Sequence, residues 1–408
     1  MRVAIFSDNF YPEIGGIQDS IEALAKALSR RGHFVDFYVP KYGRRDYEPI
    51  NAEPHEICLG ENIRIYRFCS MPFPTSTKQS RMVVPSPISW RCLLRGSRPD
   101  IIHSQTFFGV GLNALLASRV MRIPIVGTDH TAIKAFDSYV PFSVDGIDAY
   151  VLWYYNRCDL VTAPSRSVFS ELGFAKLRRP HEVVSNPIAT DIFRPASRGE
   201  QQELKLEFGL RGPTIAYAGR LGPEKNIDTI FRALAVVKQR IPSIQLAVAG
   251  HGTCETSLRE LARQLQIEDG VKFFGTLPKQ VLARLFQASD VFVTMSISET
   301  QGMALLQAMA CGTPVVGANA RALPEYINED CGFIVDPFDG GALADRIVHL
   351  LTNQELRSAF GRNAAAFARQ FSTESVVDKW ESLYRTVVLQ KEKDNGRSHQ
   401  VEFRHTGT

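Results

Sequence analysis

The chain has 408 residues, of which 44% are hydrophobic and 22% charged, with a formal net charge of +4. That length carries two domains with full cores, and the balance is that of a globular protein, neither disordered nor membrane-spanning. Seven scattered cysteines (Cys58, Cys69, Cys92, Cys158, Cys254, Cys311 and Cys331) with no C-x-x-C spacing argue for reduced thiols and against a zinc site. The opening M-R-V-A-I-F-S-D is too short an apolar run for a signal peptide, so a cytoplasmic protein is expected. Residues 1–188 hold 22 Lys/Arg against 18 Asp/Glu, so the whole basic surplus lies in the first half. A solvated face or a contact with an anionic membrane surface both explain it. No dense basic patch with interleaved aromatics suggests nucleic acid.

Arg2 to Phe6 reads as a strand, Ser7 to Ile14 as a loop ending in Gly15-Gly16, and Ile17, Ile21, Leu24 and Leu28 recur at helical spacing until Gly32. With the strand Val35 to Val39 this is a unit of the dinucleotide-fold type. Residues 43–98 are the least regular, with a strand at Ile63 to Arg67. There Lys78, Arg81, Arg91, Arg95 and Arg98 interleave with Met82, Val83, Val84, Trp90, Leu93 and Leu94, which fits either a surface helix over Trp90 to Arg95 or an interfacial segment. Asp100 to His103 is a strand and Phe107 to Met121 is helical. Ile123 to Thr131 is a buried strand whose carboxyl end carries His130, where open parallel sheets place ligands. A further strand at Leu160 to Ala163 leads to Pro164-Ser165. Asn186 is expected to tie its loop through side-chain hydrogen bonds, and the polar stretch Ser197 to Glu203 reads as a linker.

In the second half Thr214 to Ala218 is a strand that runs into G-R-L-G-P-E-K-N, Gly219 to Asn226, ahead of a helix over Ile227 to Arg240. Arg220 and Lys225 on this strand-to-helix turn suit a diphosphate, Arg through its planar fork and Lys as a point charge. Strands at Ile244 to Gly250 and Val271 to Phe274 end in Gly250 and Gly275, where a ligand approach and a plain tight turn are both open. Val291 to Thr294 is a buried strand, and a helix begins just after Gly302. The loop between them carries Glu299, Thr300 and Gln301, where free N–H groups of the helix start favour phosphate and a carboxylate can accept from sugar hydroxyls. Ser372 to Val388 is an amphipathic helix with Val376, Trp380, Leu383 and Val387 on one face, followed by a polar tail.

The stretch from Glu299 through A-M-A-C-G-T-P-V-V, Ala308 to Val316, resembles the donor-site signature of the family-4 retaining glycosyltransferases. The family has a second Glu eight residues after the first; this chain has Gln307 there. F-Y-P-E-I-G-G-I, I-P-I-V-G-T-D-H-T and G-R-L-G-P-E-K-N resemble the family's other motifs, and the likeness covers residues 1 to 388. It implies an α/β protein of the GT-B architecture, with two doubly wound Rossmann-like domains facing a cleft. The expected division is 1–195 for the acceptor, 196–371 for the nucleotide sugar, a crossing helix at 372–390 and a disordered tail at 391–408.

The resemblance also implies roles. Gly15 and Gly16 reach the donor diphosphate, Arg220 and Lys225 bind it, Gly250 and Gly275 line the nucleotide site, and Thr300, Gln301 and Gly302 accompany Glu299 at the donor. His130 approaches the transferred sugar, Glu299 contacts it, and Gln307 sits at the ribose diol with one acceptor oxygen and an NH2 donor where a carboxylate would have two acceptors. Asp129, Asp137 and Tyr139 are candidates for acceptor contacts. The expected activity is transfer of a hexose from a UDP-linked sugar to an acceptor hydroxyl without a metal, the two cations serving the leaving diphosphate. The P-S-P before a basic helix and R-P-D-I-I-H resemble the diacylglycerol glucosyltransferases of the family, which implies a membrane-lipid acceptor and peripheral contact with the inner face of an anionic membrane. The alternatives are a soluble or polysaccharide-precursor acceptor with another hexosyl donor, and a non-catalytic binding protein, for which Gln307 speaks.

Overall fold

The computed structural model describes residues 1–13, 15–50, 52–73, 80–84, 98–131, 146–173 and 176–405. The chain divides into one unit of Met1–Pro187 with Thr373–Thr408 and a second of Ile188–Ser372. The strands in chain order are β1 Arg2–Phe6, β2 Phe34–Pro40, β3 Ile63–Phe68, β4 Met71–Pro72, β5 Arg81–Met82, β6 Ile101–Ser104, β7 Ile125–Thr128, β8 Leu160–Ala163 and β9 His181–Val183 in the first unit. The second holds β10 Thr214–Ala218, β11 Gln245–Ala249, β12 Val271–Gly275, β13 Val291–Thr294, β14 Val315–Ala318 and β15 Gly332–Val335.

Among the described residues the first sheet has the order β3-β2-β1-β6-β7-β8-β9 and the second β12-β11-β10-β13-β14-β15. Every pairing within both sheets is parallel. Strands buried on both faces must be apolar throughout, which is why V-F-V-T and L-V-T-A read as strands from sequence. The second order is that of the doubly wound nucleotide-binding fold, with its switch point between β10 and β13. The first unit reverses between β1 and β6. The connections wind in opposite directions from these two places, so the loops after β1, β6, β10 and β13 flank open crevices at the carboxyl ends.

The first sheet is covered on one face by a core that includes Phe6, Phe107, Val110, Tyr154 and Tyr155. On its other face Ile21, Leu24 and Leu28 of the helix Gly16–Arg30 pack together with Val376, Val377, Trp380, Tyr384 and Val387 of the last helix. The C-terminal helix thus returns to the first unit, as the resemblance to the GT-B architecture implies. It runs from Thr373 to His405, beyond the point where a disordered tail was expected. Once nucleated, a helix extends cheaply through Gln, Lys, Glu and Arg, and Lys391 is held to Asp159 at 2.8 Å.

Two further expectations need correction. The stretch Ser197 to Glu203 is no linker: Ser197 caps a helix over Arg198–Glu207, its hydroxyl accepting from the Glu200 N–H while the Glu200 carboxylate accepts from the Ser197 N–H. The boundary falls at 187/188, not 195/196, because Ile188 and Phe193 are buried in the second core and the Ile188 N–H bonds to the Phe371 carbonyl. Asn186 does tie its loop, accepting from Ser20 at 2.8 Å. The proposed helix Trp90 to Arg95, the basic residues Lys78, Arg91 and Arg95, and Asp137 and Tyr139 lie outside the described residues. Among the described residues no helix is long and apolar enough to cross a membrane.

Candidate active site

In the second unit the loops at the switch point are stitched together by backbone bonds. The Gly219 N–H donates to Ala249, the Leu221 N–H to His251, and the Ile297 N–H to the Glu224 carbonyl. Tyr217, buried on β10, donates its hydroxyl to the Arg220 carbonyl at 3.0 Å and so props the turn from below. Gly250 is required here: a Cβ would stand 1.9 Å from the Gly219 carbonyl oxygen. Its need for glycine therefore arises from its neighbouring turn. Gly275 has open space at its Cβ position and φ of +66°, and its carbonyl accepts from the Gly250 N–H.

The charged side chains converge in pairs. Lys225 Nζ lies 2.6 Å from Glu299 Oε1, and Arg220 Nη2 lies 2.7 Å from Glu224 Oε1. Burial raises the Glu299 pKa, but the charge and hydrogen bond of Lys225, with help from Ser296 and Arg220, outweigh it and hold the group below the ordinary carboxylate range. Glu299 is therefore an anion at neutral pH. Glu224 was missed in the sequence; its spacing four residues after Arg220 on a short helical turn was the available signal.

Gly302, at φ of +86°, turns the chain from the Glu299 loop into the helix Met303–Ala310. Gln301 is buried and Thr300 half-buried on that turn, and Gln307, one helical turn on, is 9% exposed. The loop and helix start therefore gather Arg220, Lys225, Glu299 and their backbone N–H groups around one switch point, the geometry that suits an anionic ligand.

In the first unit Gly15 caps the helix that Gly16 begins, with no Cβ neighbour within 4 Å. The preceding loop is held by Glu13, which accepts from Asn9 at 2.9 Å and from Tyr42 at 3.3 Å. Burial first, then the nearby carboxylates Asp8 and Asp46, push the Glu13 carboxyl up to about 7 against those two hydrogen bonds. Asp8 ties this loop to the one after β6: it accepts from Thr106 Oγ1 at 2.5 Å and from the Val110 N–H at 3.0 Å.

His130 lies two residues past the end of β7, half-buried, and its Nε2 is 2.7 Å from Gln105 Oε1. Burial pulls it down to about 4, so it is neutral at physiological pH. Asp129 turns away from solvent instead: it is fully buried, accepts from the Thr131 N–H at 2.9 Å, and is raised by burial to about 7. It fixes the loop and is not exposed to an acceptor. Gln105 escaped notice because a neutral amide carries no motif; its place just after β6 at a switch point was the only clue.

Residues 14–192 match the family described as Glycosyltransferase Family 4, and residues 200–367 match Glycosyl transferases group 1. The chain is 29% identical over 340 residues to the alpha-monoglucosyldiacylglycerol synthase of Streptococcus pneumoniae, spanning 81% of this chain and 74% of that one. It is 25% identical over 426 residues to the D-inositol 3-phosphate glycosyltransferase of Corynebacterium glutamicum, spanning 98% and 100%. Among solved structures, Anabaena HepE in complex with UDP superposes with a TM-score of 0.76 at 20% identity, over 95% of this chain and all of that one. That last likeness speaks to the fold.

Proposed function

We propose that this chain, which belongs to the family-4 glycosyltransferases and works on a nucleotide sugar, moves glucose from UDP-glucose to the hydroxyl of a membrane lipid such as diacylglycerol with retention at the anomeric carbon. The observation that carries the donor half is the pairing of Lys225 with Glu299 beside that of Arg220 with Glu224, two cations each held by a carboxylate on loops that a parallel sheet presents to ligands. Arg220 and Lys225 stabilise the negative charge that grows on the leaving diphosphate, an electrostatic contribution of the oxyanion-hole kind. Two cations beside the diphosphate supply the charge neutralisation that a divalent metal would otherwise give, so this reading calls for no metal. Glu299 accepts from hydroxyls of the transferred sugar and orients it. Gln307 bonds the ribose diol. His130 contacts the sugar as a neutral imidazole. The departing diphosphate oxygen takes the acceptor's proton on the face it leaves, which balances the step: the sugar–phosphate C–O bond breaks, the bond to the acceptor oxygen forms, and the proton ends on UDP.

Support for a lipid acceptor comes from the similarity to the pneumococcal enzyme and from the basic surplus of residues 1–188. Phe108, Leu116, Val120 and Trp153 of the first unit are exposed, and Arg157 stacks 4.1 Å over Trp153; exposed apolar side chains and a cation of this kind suit peripheral contact with an anionic leaflet. The near-complete match to the inositol phosphate enzyme favours a second reading, a soluble polyol or sugar-phosphate acceptor. Incubation with UDP-[14C]glucose, with dioleoylglycerol in mixed micelles in one arm and inositol phosphate in the other, separates them. Label in the lipid phase supports the first reading. Label only in the aqueous product overturns it in favour of the second.

A further inference from the structure

The switch point of the first sheet carries a buried cluster centred on His103. His103, on β6, is fully buried and pulled down to about 3 by its burial and then by His130, so it stays neutral. Its Nδ1 lies 2.6 Å from Tyr384 Oη of the last helix and its Nε2 lies 2.6 Å from Thr128 Oγ1, which uses both in-plane positions of the ring. Trp380 packs on the same ring at 4.4 Å between centroids. Gln105 Nε2 stands 3.2 and 3.0 Å from the two ring nitrogens, nearly equidistant, and so lies over the imidazole face. An amide N–H over an aromatic face is attractive, whereas a carbonyl oxygen there would meet the negative face of the ring. The amide is thereby oriented with its oxygen outward, and that oxygen is the atom 2.7 Å from His130 Nε2.

We infer that Gln105 is a positioning residue that holds His130 as its Nε2–H tautomer, leaving Nδ1 as the hydrogen-bond acceptor for a hydroxyl of the transferred sugar. The inference rests on the assignment of His130 as a sugar contact. A carbonyl oxygen accepts and cannot donate, so the His130 proton must sit on Nε2 for this contact to be a hydrogen bond. Among the described residues the titratable groups linked to the pair are His103 on β6, which bonds Tyr384 of the last helix, and Asp129 in the same loop, which has Glu171 and Tyr155 beside it. The cluster reaches from the C-terminal helix through His103 to the sugar-binding ring, all within the first unit.

Selective 15N-histidine labelling of the full chain reads the tautomer directly, with His130 identified from His130→Asn. The wild type is expected to show Nε2–H for His130 at neutral pH, and Gln105→Leu a mixture in which Nδ1–H appears. Gln105→Glu places a carboxylate against Nε2, and the His130 midpoint should rise by about 1–3 pH units, as an opposite charge at this distance does, with a matching shift in the acid limb of kcat and little change in KM for the nucleotide sugar. Nδ1–H in the wild type, or an unchanged tautomer in Gln105→Leu, would overturn the inference. Undiminished turnover in His130→Asn would instead remove the premise while leaving the tautomer assignment standing, so the two failures are distinguishable.

Discussion

Glu224 pairs with Arg220, so a donor diphosphate bound by Arg220, as proposed above, competes with that carboxylate for the guanidinium. The two side chains are 34% and 11% exposed and meet at 2.7 Å. At an effective dielectric near 20 a contact pair of this kind carries a gross attraction of about 4 kcal/mol, but measured values for partly exposed pairs fall to about 1 kcal/mol or less once desolvation and solvent screening act. Donor binding must break or weaken that pair. Replacing Glu224 by Gln keeps the shape and removes the competing charge, so UDP should bind about fivefold tighter, the equivalent of about 1 kcal/mol. Calorimetric titration of both proteins with UDP at low and physiological salt measures it, and the difference should shrink with salt. Asp228→Asn is the control, since Asp228 faces Arg232 in an exposed pair at 3.9 Å outside the loop. Equal or weaker UDP binding by Glu224→Gln would refute the idea that Glu224 and the diphosphate compete for Arg220.

Three other side chains have measurable consequences. Glu299→Ala should lower turnover about a hundredfold, the scale of one lost transition-state contact, while UDP binds at least as tightly because Lys225 is released; steady-state kinetics beside calorimetry separates the two effects. Glu13 carries a raised folded-state pKa of about 7, so the folded chain holds a proton that the unfolded chain gives up near pH 4.5, and stability falls as pH rises between those values. Glu13→Gln cannot ionise, and its melting temperature should exceed that of the wild type at pH 8, by about 2 kcal/mol in stability after allowing for relaxation, with the advantage gone at pH 5; a pH-independent difference would contradict this. Tyr384→Phe removes the hydroxyl bonded to buried His103 and should cost about 1–3 kcal/mol in urea unfolding, and a variant as stable as the wild type would show that the contact is not a strong one.

Much of the fold is legible in the sequence, and the reasons are visible in particular elements. Arg2–Phe6, Leu160–Ala163, Thr214–Ala218 and Val291–Thr294 are short apolar runs because both faces of a parallel sheet are covered, and their bounds agree with the expected ones. The helix Arg198–Glu207 escaped because it buries only Leu204 and its hydrophobic periodicity is weak; the Ser197–Glu200 capping box was the sign to read. The unit boundary was misplaced by eight residues because a loop that looks polar sends Ile188 and Phe193 into the second core. In the candidate site the motif-bearing residues could be named from sequence, whereas their partners could not. Nothing in the one-dimensional pattern pairs Lys225 with Glu299 across 74 positions, or seats Gly250 against Gly219, since both contacts arise from neighbouring strand ends brought together by the winding of the sheet.

The proposed function stands on an intact donor site for a UDP-linked sugar, with Gln307 at the ribose diol. It is tested most directly by titrating the wild type and Gln307→Glu with UDP and, separately, with GDP. The wild type is expected to bind UDP in preference to GDP, and Gln307→Glu to bind it more tightly by about 1 kcal/mol through a second charge-assisted bond to the ribose diol. A wild type that binds neither nucleotide until the carboxylate is restored would contradict it.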